Sequence, residues 1–234
     1  MAKKVSKDSL GDRMKNYEKN HKFFLTKRVP VILRVDGKAF HTLTRKHFGK
    51  GYSELFTEKM ILTAMHLQKN IQGCELVYCQ SDEITCLITD YRTINTNAWF
   101  DYEVNKMVSI AASLAASRFS TAIMYPVEFD ARVFNVPEDD VVNNFLWRQK
   151  DAIRNAINMT GQMYFSAKEL HGKNTTEVKE MLLTKGINYY KLPIARRRGF
   201  CITKRDGISI VDTEIPEFGK DRDYIQKFVD IKED

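Results

Sequence analysis

Val29-Pro30-Val31-Ile32-Leu33-Arg34-Val35-Asp36-Gly37-Lys38 is an apolar run that ends on a carboxylate. Its alternation sets Val29, Val31, Leu33 and Val35 on one face of a strand over residues 29–35, and Ile32, Arg34 and Asp36 on the other. Pro30 lacks an N–H donor but stands near the strand's start, where that is tolerated. Helices covering the valine face would leave Arg34 and Asp36 on an open face, within reach of a ligand. Gly37 permits a sharp turn there and a close backbone approach to that ligand.

A second run, Leu76-Val77-Tyr78-Cys79-Gln80-Ser81-Asp82-Glu83-Ile84-Thr85, has a polar break between two apolar halves. It reads as a hairpin over residues 74–89 with the four-residue tip Gln80-Ser81-Asp82-Glu83. Asp is a preferred turn residue, whereas Glu is not. Two strand-end carboxylates side by side make an oxygen-ligand site for a hard divalent cation, Mg2+ above all. Two such ions are the usual apparatus for displacement at phosphorus.

The intervening chain decides whether the two runs meet. Residues 51–70 form a helix with Phe56, Met60, Ala64 and Leu67 on its apolar stripe. Residues 98–123 form a second, with the stripe Phe100, Val104, Val108, Ala111 and Ala115. Residues 127–136 form a fourth strand. The order strand, helix, strand, strand, helix, strand is the ferredoxin-like βαββαβ unit. In it the first strand lies beside the strand that follows the hairpin turn, so Asp36 meets Asp82 and Glu83. This α+β palm, with helices on one face, occurs in many nucleotidyltransferases and cyclases, and fold alone does not choose between them.

The rest of the chain reads as an extension. Residues 11–21 form a short helix. Pro137 and the acids Glu138, Asp139 and Asp140 start a helix over 137–165. Two short helices over 166–185 stop at Gly186. A hairpin over 198–214 turns at Asp206-Gly207. The tail after Pro216 is charged, and its composition suggests partial disorder. The chain thus divides into a palm, 1–137, and a basic C-terminal α/β extension, 138–234, packed on it as one unit.

At 234 residues, 43% hydrophobic and 29% charged, the chain can bury a core. No stretch has the length and apolarity of a membrane span, and no apolar signal core follows the basic Met1 to Lys7. The expected compartment is the cytoplasm. Cys74, Cys79, Cys86 and Cys201 have no zinc-like spacing and read as small buried hydrophobes. The net charge of +7 suits a polyanionic partner. Basic residues cluster at Lys15 to Arg28, at Arg45, Lys46 and Lys50, and at Arg196-Arg197-Arg198 with Lys204-Arg205.

With these residues placed, the chain resembles the tRNA-histidine guanylyltransferase family and its bacterial and archaeal "like" relatives, the 3′–5′ polymerases. The matching strings are Arg34 to His41, Tyr78 to Glu83, Trp99-Phe100 leading to Lys106 and Ser109, Phe129 to Arg132, and Trp147 to Ala152. They span roughly residues 10–215 in order. The resemblance implies two Mg2+ ions bound by Asp36, Asp82 and the Gly37 carbonyl. It implies a nucleoside triphosphate (GTP, ATP or another) running along Asp36, Gly37, Lys38, Ala39, Phe40 and His41 and along Ser81-Asp82.

Other roles follow from the same likeness. Glu83 is either a ligand or a partner that orients one. Lys50, His41 and Lys106 are candidate phosphate donors, against a plain surface histidine for His41. Ser81 donates to a phosphate or caps the turn. Arg132 and Arg148 bind the tRNA end or triphosphate, or pair with Asp130 and Asp151. Asn155 and Asn188 are weaker candidates, and Arg196, Arg197 and Arg198 are candidates for the tRNA backbone. Glu103 replaces a basic residue of the eukaryotic pattern and receives no phosphate contact. The family acts on tRNA after activating its 5′-phosphate with ATP or GTP, and assembles as a homotetramer. Where eukaryotic members carry a His-Ile-Asn-Asn string, this chain has Ile153-Arg154-Asn155-Ala156. The missing histidine favours the "like" branch, which adds nucleotides by template and repairs 5′-truncated tRNA. The alternatives are a palm-type nucleotide cyclase, set against by the long basic C-terminal third, and a non-catalytic RNA-binding module. The latter wants stacking aromatics on the first and third strands, which carry none.

Overall fold

The computed structural model describes residues 9–230, so the basic stretch Met1 to Lys7 lies outside it. Strands β1 (Val31–Gly37), β2 (Cys74–Gln80), β3 (Glu83–Ile88), β4 (Phe129–Asn135), β5 (Phe200–Arg205) and β6 (Ile208–Asp212) form one antiparallel sheet. Its order is β4-β1-β3-β2-β5-β6. The first four strands have the expected adjacency, with β1 between β3 and β4. The C-terminal hairpin continues the same sheet through the β2–β5 pairing.

Helices α1 (Leu10–Lys19), α2 (Phe40–His47), α3 (Glu54–Asn70), α4 (Val104–Ile123), α5 (Glu138–Tyr164), α6 (Ala167–Leu170), α7 (Thr175–Thr184), α8 (Ile194–Arg198) and α9 (Asp223–Gln226) complete the chain among the described residues. Ser53 caps α3 by accepting from the Phe56 amide, and Asn174 with Glu177 closes a capping box on α7. The expected α3 stripe is in place: Phe56, Met60, Ala64 and Leu67 are buried. In the α4 region a 3₁₀ turn at Trp99–Tyr102 interrupts the expected helix, with Phe100 and Asp101 at positive φ. The buried stripe of α4 is Met107, Ala111, Ala115 and Phe119, while Phe100 is exposed.

The sheet is covered on both faces, which corrects the reading of helices on one face only. On one side Val31, Leu33 and Val35 pack with α3 and α4. On the other, Ile32 joins Leu76, Tyr78, Leu87 and Cys201 under Val141, Val142 and Phe145 of α5. The chain after β6 seals that second core with Ile215, Phe218, Ile225 and Val229. The tail read as partly disordered is therefore ordered through Asp230, and residues beyond it lie outside the described part. Arg92 donates to the carbonyls of Phe228 and Asp230, and Tyr91 to that of Val229. Truncating one such fully buried Leu or Ile to Ala costs about 2–5 kcal/mol. The four cysteines are free and buried, as read, and burial pushes the Cys79 thiol up.

Candidate active site

The antiparallel ladders set the first carboxylate among others. Asp36 is the register partner of Glu83 on β3 and of Asp130 on β4. The Gly37 amide donates to the Asp82 carbonyl at 3.2 Å, tying the end of β1 to the hairpin tip. The tip is shorter than expected: only Ser81 and Asp82 lie between the strands. Ser81 sits at φ 52 and donates to the Asp82 carboxylate at 2.9 Å. Asp36, Gly37, Ser81, Asp82 and Glu83 thus share one end of the sheet.

The electrostatics are those of an acid cluster short of positive charge. Burial, and then the charges of Asp82, Glu83 and Asp130, push the Asp36 carboxyl up to about 6. Burial also raises Asp82, against the hydrogen bond from Ser81. Glu83 differs. Arg148 of α5 donates from Nε to Oε1 at 2.7 Å and from Nη2 to Oε2 at 2.6 Å, a bidentate pair. Both side chains are mostly buried, and Arg148 also reaches Asp151 at 3.2 Å. With both oxygens engaged, Glu83 fits the orienting role better than that of a ligand. Among the described residues no three His, Cys, Asp or Glu side chains form a ready cage for an ion. Asp36, Asp82 and the Gly37 carbonyl are hard oxygen donors, they repel one another, and they suit Mg2+ completed by substrate or water oxygens.

The nucleotide candidates divide. Lys38 reaches Glu128 at 2.5 Å on the open surface, and its amide donates to the Glu128 carbonyl at 2.9 Å. Ala39, at φ 57, precedes α2, a helix the sequence reading did not anticipate. Phe40 cannot offer its ring: the side chain is buried against Phe56, Phe119 and Phe129 at centroid distances of 4.9–6.1 Å. His41 and Lys50 line one depression with Thr44, Arg45 and Met159. An adjoining cleft reaches Ser81 past Tyr52, Gln80, Met159 and Arg196. Thr44, Tyr52 and Met159 were not singled out from sequence, because their positions converge only once α5 and α8 pack beside the hairpin tip. Lys106 is not brought to this end. It lies in the first turn of α4, paired with Glu103 at 3.4 Å, while the far end of that helix leads into β4 beside Gly37. A helix of this length spans about 30 Å.

The tRNA candidates mostly have protein partners. Arg132 pairs with Asp130 at 3.0 Å. Asn155 reaches Asp151, and Asn188 caps a 3₁₀ turn at Tyr189–Lys191. Arg196 lies over Tyr52, Arg197 donates to the Leu192 carbonyl, and Arg198 donates to the Ile215 carbonyl and pairs with Glu217.

Residues 11–137 match the family model described as Thg1, tRNAHis guanylyltransferase. A bacterial tRNA(His) guanylyltransferase (Thg1)-like protein solved in complex with ATP superimposes with a TM-score of 0.90 at 40% identity, covering 96% of this chain and 100% of that one. A second structure so described, in complex with GTP, gives 0.81 at 36% identity and covers 94% and 99%. A probable tRNA(His) guanylyltransferase of Dictyostelium discoideum is 28% identical over 203 residues, 77% of either chain.

Proposed function

The chain belongs to the Thg1 tRNAHis guanylyltransferase family and is a nucleotidyltransferase, and on that premise we propose that it adds nucleotides to the 5′ end of tRNA in the 3′–5′ direction, directed by the opposing strand. The observation that carries the reading is the convergence of Asp36, Asp82 and the Gly37 backbone at one sheet end, beside a cleft lined by Ser81. The ATP and GTP complexes of a bacterial Thg1-like protein support nucleotide binding by this chain. In the activation step a 5′-phosphate oxygen attacks the α-phosphorus of ATP or GTP and pyrophosphate leaves. In the addition step the 3′-hydroxyl of the incoming nucleotide attacks the activated 5′-phosphorus and the activating mononucleotide leaves.

Asp36, Asp82 and the Gly37 carbonyl would hold two Mg2+ ions, which when bound neutralise triphosphate charge and favour the attacking oxygen. Arg148 clasps Glu83 beside that site and holds its carboxylate in one orientation. Lys50 and His41, at the mouth of the cleft, donate to phosphate oxygens. The missing histidine after Trp147 supports templated addition and repair of 5′-truncated tRNA over obligatory guanosine addition to tRNA-His. No helix among the described residues is long and apolar enough to cross a membrane, and the buried free thiols accord with the cytoplasm. We carry the homotetramer over from the family.

The test incubates 5′-truncated and full-length tRNAs with each nucleotide in turn. Addition dictated by the opposing base is expected, and Asp36→Ala and Asp82→Ala abolish it. Addition of G whatever the opposing base overturns the templated reading.

A further inference from the structure

Trp147 is 54% exposed, whereas Trp99 is 6% exposed. An indole left this far in water on a helix lacks the usual burial. Two guanidinium groups lie over the ring: Arg148 is 4.6 Å and Arg34 5.9 Å from its centroid. Arg148 is clasped by Glu83 and Asp151. Arg34 stands two residues before Asp36 on the same face of β1. Two residues of strand span about 6.6 Å, so the indole is anchored one pleat from the carboxylate end. An indole that carries guanidinium groups over it and still leaves half its surface in water is the chemistry that receives a nucleobase with its phosphate nearby.

We propose that Trp147 is the platform on which the terminal base at the acceptor end of the RNA stacks, setting its 5′-phosphate toward Asp36 and Asp82. This deepens the nucleotidyl-transfer reading and rests on it. A chain growing at its 5′ end presents one unstacked base-pair face and one unpaired opposing base at every addition. Stacking on an indole accepts any base because each has a π face. Trp147 therefore positions without selecting, and base pairing does the selecting.

Trp99 is buried and emits as a background, so a change on RNA binding is assigned to Trp147 when Trp147→Phe loses it. Titration of the wild type with 5′-truncated tRNA, without nucleotide, is expected to quench the emission. Trp147→Phe binds the same tRNA by filter assay but loses the quench. In steady-state addition, Trp147→Ala raises KM for tRNA about 10-fold or more, with kcat at saturating tRNA nearly unchanged. Trp147→Phe, which still stacks, restores KM to within about 3-fold, and thermal melting of both variants stays at the wild-type value. An unchanged KM in Trp147→Ala, or tRNA binding without quench, overturns the platform. Quenching by ATP or GTP alone also overturns it by placing a mononucleotide on the ring. Addition without quench defeats the platform and spares the transferase reading. Quench without addition on any tRNA does the reverse, and a wild type that binds no tRNA defeats both.

Discussion

Arg148 holds both carboxylate oxygens of Glu83, the residue directly opposite Asp36 on the neighbouring strand. The pair is planar and two-pronged, which a lysine cannot reproduce. Arg148→Lys should lower kcat for nucleotide addition about 10- to 100-fold while keeping the fold. Arg148→Ala leaves Glu83 as an uncompensated, mostly buried charge and should cost about 2–4 kcal/mol of stability. A double-mutant cycle with Glu83→Gln checks this: the two losses should be far from additive.

Asp36 should trade stability for chemistry. Its carboxyl is raised from 3.8 to about 6 in the folded protein, so the native state holds this proton more tightly than the unfolded chain. Between pH 4 and 6 the native state binds more protons, and stability from this group falls as pH rises, the full penalty applying above pH 6. The whole shift would be worth about 3 kcal/mol. Partial exposure to solvent reduces that to about 1 kcal/mol. Asp36→Asn should therefore melt higher than the wild type at pH 7 in EDTA, equal it near pH 4, and add no nucleotide. Added Mg2+ should raise the wild-type melting point and leave the variant's unmoved.

Two glycines separate site damage from general damage. A Cβ at Gly37 would stand 2.4 Å from the Phe40 ring. Gly37→Ala should cost about 1–3 kcal/mol and shift the backbone that carries Lys38 and Ala39, so kcat falls along with the melting temperature. At Gly73, with φ +74, a Cβ would stand 2.2 Å from the Thr89 carbonyl oxygen. Gly73 lies at the opposite end of β2 from Ser81. Its Ala variant should lose comparable stability but retain kcat below its melting range.

Arg198 should behave as a structural residue despite its basic neighbourhood. It donates to the Ile215 carbonyl at 2.9 Å, at the start of the segment that seals the second core. Arg198→Ala should lose about 1–3 kcal/mol. The slope of log binding constant against log salt for tRNA should not change, whereas loss of a phosphate contact would reduce it by about 1.

The β1 cadence and the hairpin break were enough to bring Asp36 to Glu83, because strand period and topology together determine adjacency. The same cadence put Ile32 on an open face. Period two tells which residues share a side but not what arrives to cover it, and α5 arrives from a hundred residues downstream. The helix Phe40–His47 was hidden because His41-Thr42-Leu43-Thr44-Arg45-Lys46-His47 has one apolar residue. The tail was hidden because charges separate Ile215, Phe218, Ile225 and Val229. The α4 stripe held at Ala111 and Ala115 but missed Met107 and Phe119, and its expected start failed because Phe100 sits in a left-handed break that no apolar spacing signals. The arginine on Glu83 was legible only as a motif, since the contact spans 65 positions.

The β2–β5 pairing makes completion of the sheet a late event in synthesis. Until residues 200–205 leave the ribosome, the outer edge of β2 has no strand to pair with, and Leu76, Val77, Tyr78 and Cys79 present open backbone groups on an apolar strand. An emerging chain with such an edge is open to pairing with its neighbours. The β2 edge is therefore open to mispairing for about half of the chain's synthesis, and that exposure ends with the same segment that brings α8 to the cleft.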